Sequence, residues 1–182
     1  MDEKPPQQIT HRPGTCELLL APGRTAGTAA LGDRLTDPDT STAVLYVTTG
    51  NADDAVDRLR TRSVPAEAIG VVDASGADRT PDGVAESAVV GGPGSLSALG
   101  IAVSDVLERL SHRFDRVVIG FDSTTDVLDA APLPATFRFF HVLCGRVRTG
   151  EAVLLATIDS TAHDEETRRT IAELFDLATT IE

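Results

Sequence analysis

An acid and a hydroxyl directly follow a short apolar run, and this pair is the clearest candidate for chemistry in the chain. The run covers 116–121, is rich in β-branched residues and ends in Asp122 and Ser123. Such a run predicts a strand that is buried on both faces. Because open α/β sheets bind ligands outside the carboxyl ends of their strands, Asp122 and Ser123 are candidate ligand-binding residues.

A glycine-bearing segment after the first predicted strand is the second candidate. The strand covers 16–21, the segment 22–28 reads PGRTAGT, and a helix of small residues is predicted at 29–35. Strand, glycine turn and helix form the arrangement that a phosphate-binding loop needs, because its backbone N–H groups wrap the phosphates. The candidate nucleotide-binding residues of this segment are Gly23, Arg24, Gly27 and Thr28.

Strands and helices alternate along the rest of the chain. Further strands are predicted at 43–48, 69–73, 87–90, 152–158 and 177–181, and further helices at 52–62, 95–111, 125–130, 135–147 and 164–175. This alternation implies parallel pairing with right-handed crossovers. We predict a three-layer α/β fold, with a mostly parallel sheet and helices on both faces, as a single domain over 16–182 after a flexible tail at 1–15.

Composition and charge exclude several classes of function. The chain has 28 acidic and 16 basic residues and a formal net charge of −12, with Lys4 as its only lysine. An acidic surface without a basic patch or aromatic platform argues against nucleic-acid binding. No apolar run is long enough to span a membrane, and the polar N-terminus lacks the apolar stretch of a signal peptide, so we expect a cytoplasmic protein. Cys16 and Cys144 lack metal-ligand spacing and are interpreted as buried small side chains.

Three stretches, by their order and spacing, carry a resemblance to a known family. They are 45–49, 117–123 and 166–182, and the similarity extends over about 16–181. The chain resembles the RecA/KaiC-type ATPase domain, and closely the haloarchaeal domains of that group with degraded ATP sites, with the archaellum accessory ATPase as a more intact relative. The resemblance implies a RecA-like P-loop NTPase fold, with Asp122 as the acid that holds Mg²⁺. The lysine-poor, acidic composition also resembles that of halophilic archaeal proteins.

The groups that would perform ATP hydrolysis are missing. If Gly27 is the second glycine of the pattern G-x-x-x-x-G-K-S/T, Thr28 replaces the lysine and Ala29 the Mg²⁺-binding hydroxyl. The catalytic glutamate of the family follows the second strand, where 49–51 read Thr-Gly-Asn and supply no base. Since positioning and charge stabilisation are nearly all of phosphoryl-transfer catalysis, we expect no efficient hydrolysis.

Two functions from different classes follow. The first is a catalytically inactive RecA/KaiC-like module for regulation or assembly, which contacts a protein partner or copies of itself through the helices at 95–111 and 137–147. The alternative is a weak MgATP-binding protein or slow ATPase, with ATP and Mg²⁺ held by Asp122 and the backbone of 23–27. A simpler interpretation of Asp122 is that it ends a strand and caps the next helix. A receiver or dinucleotide-binding domain fits less well, because the chain lacks acids after the first strand and lacks G-x-G-x-x-G.

Overall fold

The computed structural model describes residues 11–35 and 41–182, which form a seven-stranded sheet between two layers of helices. In chain order the strands are β1 Cys16–Ala21, β2 Thr42–Thr48, β3 Ile69–Asp73, β4 Glu86–Val89, β5 Arg116–Asp122, β6 Ala152–Asp159 and β7 Leu177–Thr180. The helices are α1 Arg24–Leu35, α2 Ala52–Thr61, α3 Leu96–Ser111, α4 Thr124–Ala130, α5 Leu133–Arg148 and α6 Glu165–Ala172.

The sheet is parallel throughout, with the strand order β4-β3-β2-β5-β6-β1-β7. The predicted central strand, β5, occupies the middle of the sheet. Strands β2, β5 and β6 are almost entirely buried, as expected for a parallel sheet that is covered on both faces. The predicted three-layer α/β fold class is therefore confirmed.

Each face of the sheet has its own apolar core. Helices α1 and α2 pack on one face, where Leu31, Leu35 and Leu59 are fully or almost fully buried. Helices α3, α5 and α6 cover the other face, where Phe121 of β5 contacts Phe140 of α5 edge to face. Of the described helices, none combines the length and apolarity that crossing a bilayer would need.

The strand order differs from those of the common dinucleotide-binding and flavodoxin-like folds. In both of those orders, 3-2-1-4-5-6 and 2-1-3-4-5, the first two strands are neighbours. Here β5 and β6 separate β1 from β2. One strand, β6, therefore lies between β1, which leads into the glycine segment, and β5, which carries Asp122.

Residues of the predicted tail divide into two parts. Residues 1–10 lie outside the described part of the chain, so the prediction of flexibility there stays a prediction. Residues 11–15 are described and attach to the sheet: the N–H of Gly14 donates to the carbonyl of Ala152 at 2.8 Å, and the N–H of Leu154 donates to the carbonyl of Thr15 at 3.0 Å. The His11 side chain is buried and hydrogen-bonds to Glu17.

Gly120, in the middle of β5, allows α1 to lie close to the sheet. A Cβ atom at this position would lie 2.8 Å from Leu35 Cδ1 and 3.5 Å from Leu31 Cδ2. Glycine weakens a strand interior and often marks a close approach of another element. Here the approach brings the buried face of α1 against β5, which places Thr28 beside Asp122.

Replacing Gly120 with valine should lower the free energy of unfolding by about 2 kcal/mol, because the added methyl groups overpack against two buried leucines. Denaturant unfolding measures this loss. Gly145→Ala is the matched control: nothing lies within 4 Å of its Cβ position on α5, so the better helix propensity of alanine should raise stability by up to about 1 kcal/mol. Equal stability of Gly120→Val and the unmodified chain would show that α1 is not held close by this glycine.

Candidate functional site

A crevice lies at the carboxyl ends of β2 and β5, the position at which open α/β sheets bind ligands. The two strands are neighbours, and their register aligns Thr48 with Asp122. The chain leaves β2 through α2 toward one edge of the sheet and leaves β5 through α4 and α5 toward the other. Such a reversal of direction is the topological switch point at which the crevice opens.

Asp122 is buried and accepts hydrogen bonds from three hydroxyl groups. Only 2% of its surface is exposed. Thr28 Oγ1 and Tyr46 Oη donate to Asp122 Oδ2 at 2.7 and 2.9 Å, and Thr157 Oγ1 donates to Oδ1 at 3.3 Å. Burial raises the pKa of Tyr46 and the neighbouring Asp122 carboxylate raises it further, so the phenol stays protonated and donates. Both carboxylate oxygens are therefore used inside the protein.

The helix after β5 is capped by Ser123, which corrects the interpretation that Asp122 caps it. Ser123 is the N-cap residue of α4, and its Oγ accepts from the N–H of Asp126 at 3.4 Å. The peptide bond between Asp122 and Ser123 is cis. The predicted site pair is thus divided between two roles, with the acid in the core and the hydroxyl at the start of a helix.

The predicted loop at 22–28 is instead a two-residue turn followed by helix. Helix α1 begins at Arg24, five residues before its predicted start, and the N–H of Gly27 donates to the carbonyl of Gly23 as the first turn of the helix. Gly23 has φ +91°, a conformation that favours glycine, where the chain turns from β1 into α1. Thr28 therefore lies in the second turn of α1 rather than at the end of a phosphate-wrapping loop.

The carboxylate of Asp159 occupies the N-terminus of α1. Asp159 ends β6, and its Oδ1 accepts from the N–H of Gly23 at 3.1 Å. The same oxygen accepts from the N–H and the hydroxyl of Thr161 at 2.8 and 2.7 Å, and these bonds hold the pKa of Asp159 below its usual value. A helix N-terminus attracts anions, and here an anionic side chain of the protein supplies the negative charge.

An ion pair between Arg24 and Asp126 crosses the crevice from α1 to α4. Arg24 Nη2 also donates to Thr49 Oγ1 at 3.2 Å, and that hydroxyl donates to Asp126 Oδ2 at 2.5 Å. The N–H of Ser123 donates to the same Thr49 oxygen at 3.1 Å. The guanidinium lies so close to Gly50 that a Cβ atom there would be 2.7 Å from Nη2. Polar groups of the protein therefore bridge the crevice.

The space that remains beside this ion pair is a cavity of about 130 Å³, whereas pockets that hold drug-sized ligands measure roughly 300–1,000 Å³. Its walls include four of the six predicted site residues, Gly23, Arg24, Gly27 and Ser123. The other two, Thr28 and Asp122, lie beneath it and bond to each other. The structure thus brings together all six predicted residues, but in a small space.

Sequence reasoning did not assign to this site the side chains that fill the crevice. These are Tyr46, Asp126, Thr157 and Asp159, each at or near the carboxyl end of a strand or the start of a helix. Thr157 and Asp159 end β6 in the way that Asp122 ends β5, and this repeated placement of polar residues was the available signal. This signal does not predict the strand order, which places β1, β6, β5 and β2 side by side.

Comparisons with known proteins identify a family and a fold. A family model described as "Family of unknown function (DUF7504)" matches residues 14–181. No curated protein matches the chain. Among solved structures, a Pyrococcus horikoshii OT3 protein described as "Structural study of Project ID PH0250" is similar with a TM-score of 0.63 and 11% identity, over 94% of this chain and 84% of that chain. At this identity the similarity shows the fold alone.

Proposed function

The chain belongs to this family of unknown function, DUF7504, and we propose that it is a non-catalytic RecA/KaiC-like domain that acts in regulation or assembly. It works through contacts with a protein partner or with copies of itself. The observation that carries the proposal is a crevice filled by the protein's own charged groups: Asp159 at the N-terminus of α1, and the Arg24–Asp126 ion pair across the opening.

The positions of the missing catalytic groups support the same proposal. Thr28 stands where the resemblance places the phosphate-binding lysine, and its hydroxyl is bonded to Asp122. Thr49 follows β2, where the catalytic glutamate is expected, and its hydroxyl bonds to Asp126 and Ser123. Phosphoryl transfer depends on charges directed at the phosphates. At these positions the chain has neutral hydroxyl groups that form hydrogen bonds within the protein.

The residues present do not fit a Mg²⁺ ion held directly by Asp122. Mg²⁺ prefers an octahedral set of oxygen ligands and keeps several waters, which requires solvent access. Asp122 is buried, and both of its oxygens accept from hydroxyl groups. A bound ion would have to compete with Thr28 and Tyr46 at Oδ2 or with Thr157 at Oδ1, and a bound phosphate would have to displace Asp159 from Gly23.

A weak MgATP-binding protein is the second candidate, and one observation favours it. Arg24 is half-exposed at the wall of the cavity, and an arginine freed from Asp126 could pair with a phosphate instead. The two candidates differ in a measurable way, because a ligand that binds only the folded state raises its stability.

We expect saturating MgATP to leave the melting temperature unchanged in about 2 M KCl, a medium that suits the acidic, lysine-poor composition. Binding at 100 times Kd would instead add about 2.7 kcal/mol, or roughly 5–10 °C for a chain of this size. Thermal unfolding is recorded with MgATP and with MgCl₂ at matched ionic strength. A saturable shift with ATP that Asp122→Asn removes would overturn the proposal and establish the second candidate.

A further inference from the structure

A groove between α3 and α5 exposes apolar side chains on the face of the sheet opposite α1. Among the described residues, Ile101 and Val142 are the most exposed large apolar side chains, at 64% and 68%. Both line the groove, which has a volume of about 650 Å³. The ring of Phe139 on α5 packs against α3, with its Cε2 atom 3.8 Å from the Cβ position of Gly100. Apolar surface gathered in one place marks an interaction site.

Unpaired charges of both signs border the same groove. Arg138 and Arg146 lie on its α5 side and Asp105 on its α3 side. None of these three has an ion-pair partner within 11–35 and 41–182, whereas other arginines of these helices do: Arg109 pairs with Glu86, and Arg148 pairs with Asp176. The acid on one side of the groove and the arginines on the other can each pair with the opposite charge on an occupant that carries charges of both signs.

We propose that this groove is the interface between two copies of the chain, a proposal that rests on the assembly role given above and names its contact surface. A two-fold symmetric interface uses the same patch on both subunits and must therefore be self-complementary. The groove meets this condition because one helix supplies an acid and an apolar side chain, Asp105 and Ile101, and the other supplies two bases and an apolar side chain.

The direction of the helices fixes how the two copies meet. Helix α3 precedes β5 and helix α5 precedes β6 in the chain. Because these two strands are parallel, the two helices point in the same direction. A two-fold axis parallel to these helices lays each α3 over the partner's α5. Because the ring of Phe139 packs beside Gly100, residues that follow these two positions by similar distances face each other in this arrangement, which brings Asp105 toward the partner's Arg146 and Ile101 toward the partner's Val142.

Salt should strengthen this dimer. Each chain has a net charge of −12, so two copies repel each other at low ionic strength. The Debye length falls to about 3 Å at 1 M salt, which removes most of that repulsion while the apolar contacts remain. The ion pairs at the border of the groove are in direct contact and partly buried in the dimer, so salt screens them less than it screens the overall repulsion.

Sedimentation equilibrium at about 100 µM chain in about 2 M KCl tests the proposal. We expect a mass twice the 19.1 kDa of one chain. Ile101→Asp and Val142→Asp should each weaken the dimer at least about tenfold, since each buries a charge at the centre of the interface. Both positions are exposed in the single chain, so neither change should affect folding, and circular dichroism checks this. Val89→Asp, at an exposed apolar position on edge strand β4, is the matched control and should leave the mass unchanged.

A charge exchange tests the orientation. Arg146→Asp should weaken the dimer, and adding Asp105→Arg to the same chain should restore it, because each copy then offers the opposite charge to its partner. A monomeric wild-type chain overturns the proposal and leaves the groove to a different protein. A dimer that survives Ile101→Asp, or that Val89→Asp disrupts, also overturns it in favour of another surface. A saturable melting-temperature shift with MgATP that Asp122→Asn removes would overturn the proposed function and leave these masses unchanged, so the two failures are distinguishable.

Discussion

Replacing Glu17 with glutamine is expected to lower the free energy of unfolding at pH 7 by about 3 kcal/mol. Glu17 lies in β1 with 1% of its surface exposed, at the sheet end opposite the crevice. Its Oε1 accepts from Arg34 Nη1 and from Thr179 Oγ1, each at 2.6 Å, and its Oε2 pairs with His11. Glutamine keeps the shape of the side chain but removes the charge and one acceptor, and it leaves Arg34 without its carboxylate.

The size of the effect follows from the pKa of Glu17. Burial alone would raise this pKa, but hydrogen bonds from His11 and Thr179 and the positive charge of Arg34 outweigh burial and lower it from 4.5 to about 2. Each pKa unit corresponds to about 1.36 kcal/mol of difference between the two protonation states. The charged form is therefore favoured in the folded protein by about 3 kcal/mol relative to the unfolded chain.

The same shift predicts a pH dependence with a definite sign. The folded-state pKa lies below the unfolded value, so the stabilisation is fully present above pH 4.5 and is lost as the pH falls toward about 2. Denaturant unfolding at a series of pH values should show wild type and Glu17→Gln converging over this interval. Glu151→Gln, at an exposed position, is the control and should change little at any pH. A stability difference that stays constant down to pH 2 would mean that lost packing, not lost charge, destabilises the variant.

The positions of the strands were predictable because the sequence pattern that specifies a buried strand is local. A run of β-branched residues such as 116–121 predicts a buried strand regardless of its neighbours, and β5 begins and ends within one residue of the predicted bounds. The alternation of strands and helices then predicts parallel pairing and covered faces. Neither observation predicts the order of the strands within the sheet. Only the structure shows that β6 lies between β1 and β5.

The predicted start of α1 was wrong because the residue that caps this helix lies far away in the sequence. The segment 22–28 contains two glycines, and the phosphate-loop pattern favoured an open turn. The helix begins at Arg24 because Asp159, 136 residues along the chain, accepts from the N–H of Gly23. Glu17 was overlooked for a similar reason. An acid within an apolar run gave the local signal, but its partner Arg34 lies on α1 and its partner Thr179 reaches it only once β7 lies beside β1.

Replacing Asp122 with alanine should lower the free energy of unfolding by about 3–5 kcal/mol, with or without nucleotide. The change leaves the hydroxyls of Thr28, Tyr46 and Thr157 without their common acceptor in a buried site. A buried donor that loses its partner costs about 1–3 kcal/mol, and three are affected here. Tyr46→Phe removes one donor and keeps the carboxylate, so it should cost about 1 kcal/mol.

Asp122→Asn separates a hydrogen-bonding role from a charge role. The amide oxygen can still accept from Thr28 and Tyr46, and the Thr157 hydroxyl can rotate to accept from the amide nitrogen. We therefore expect a cost of about 1 kcal/mol, well below that of alanine. A residue whose task is to hold Mg²⁺ predicts the reverse pattern: both variants would fold as stably as wild type, and both would lose any stabilisation by MgATP.

Denaturant unfolding of wild type, Asp122→Asn and Asp122→Ala, each with and without MgATP, distinguishes the two patterns. Equal stability of alanine and wild type would show that the three hydroxyls do not depend on Asp122. The other outcome is that stability falls from wild type to Asp122→Asn to Asp122→Ala and that MgATP changes none of the three values. The role of Asp122 is then to hydrogen-bond the three side chains around it. These come from α1, β2 and β6, so the carboxylate fixes the position of three elements on β5.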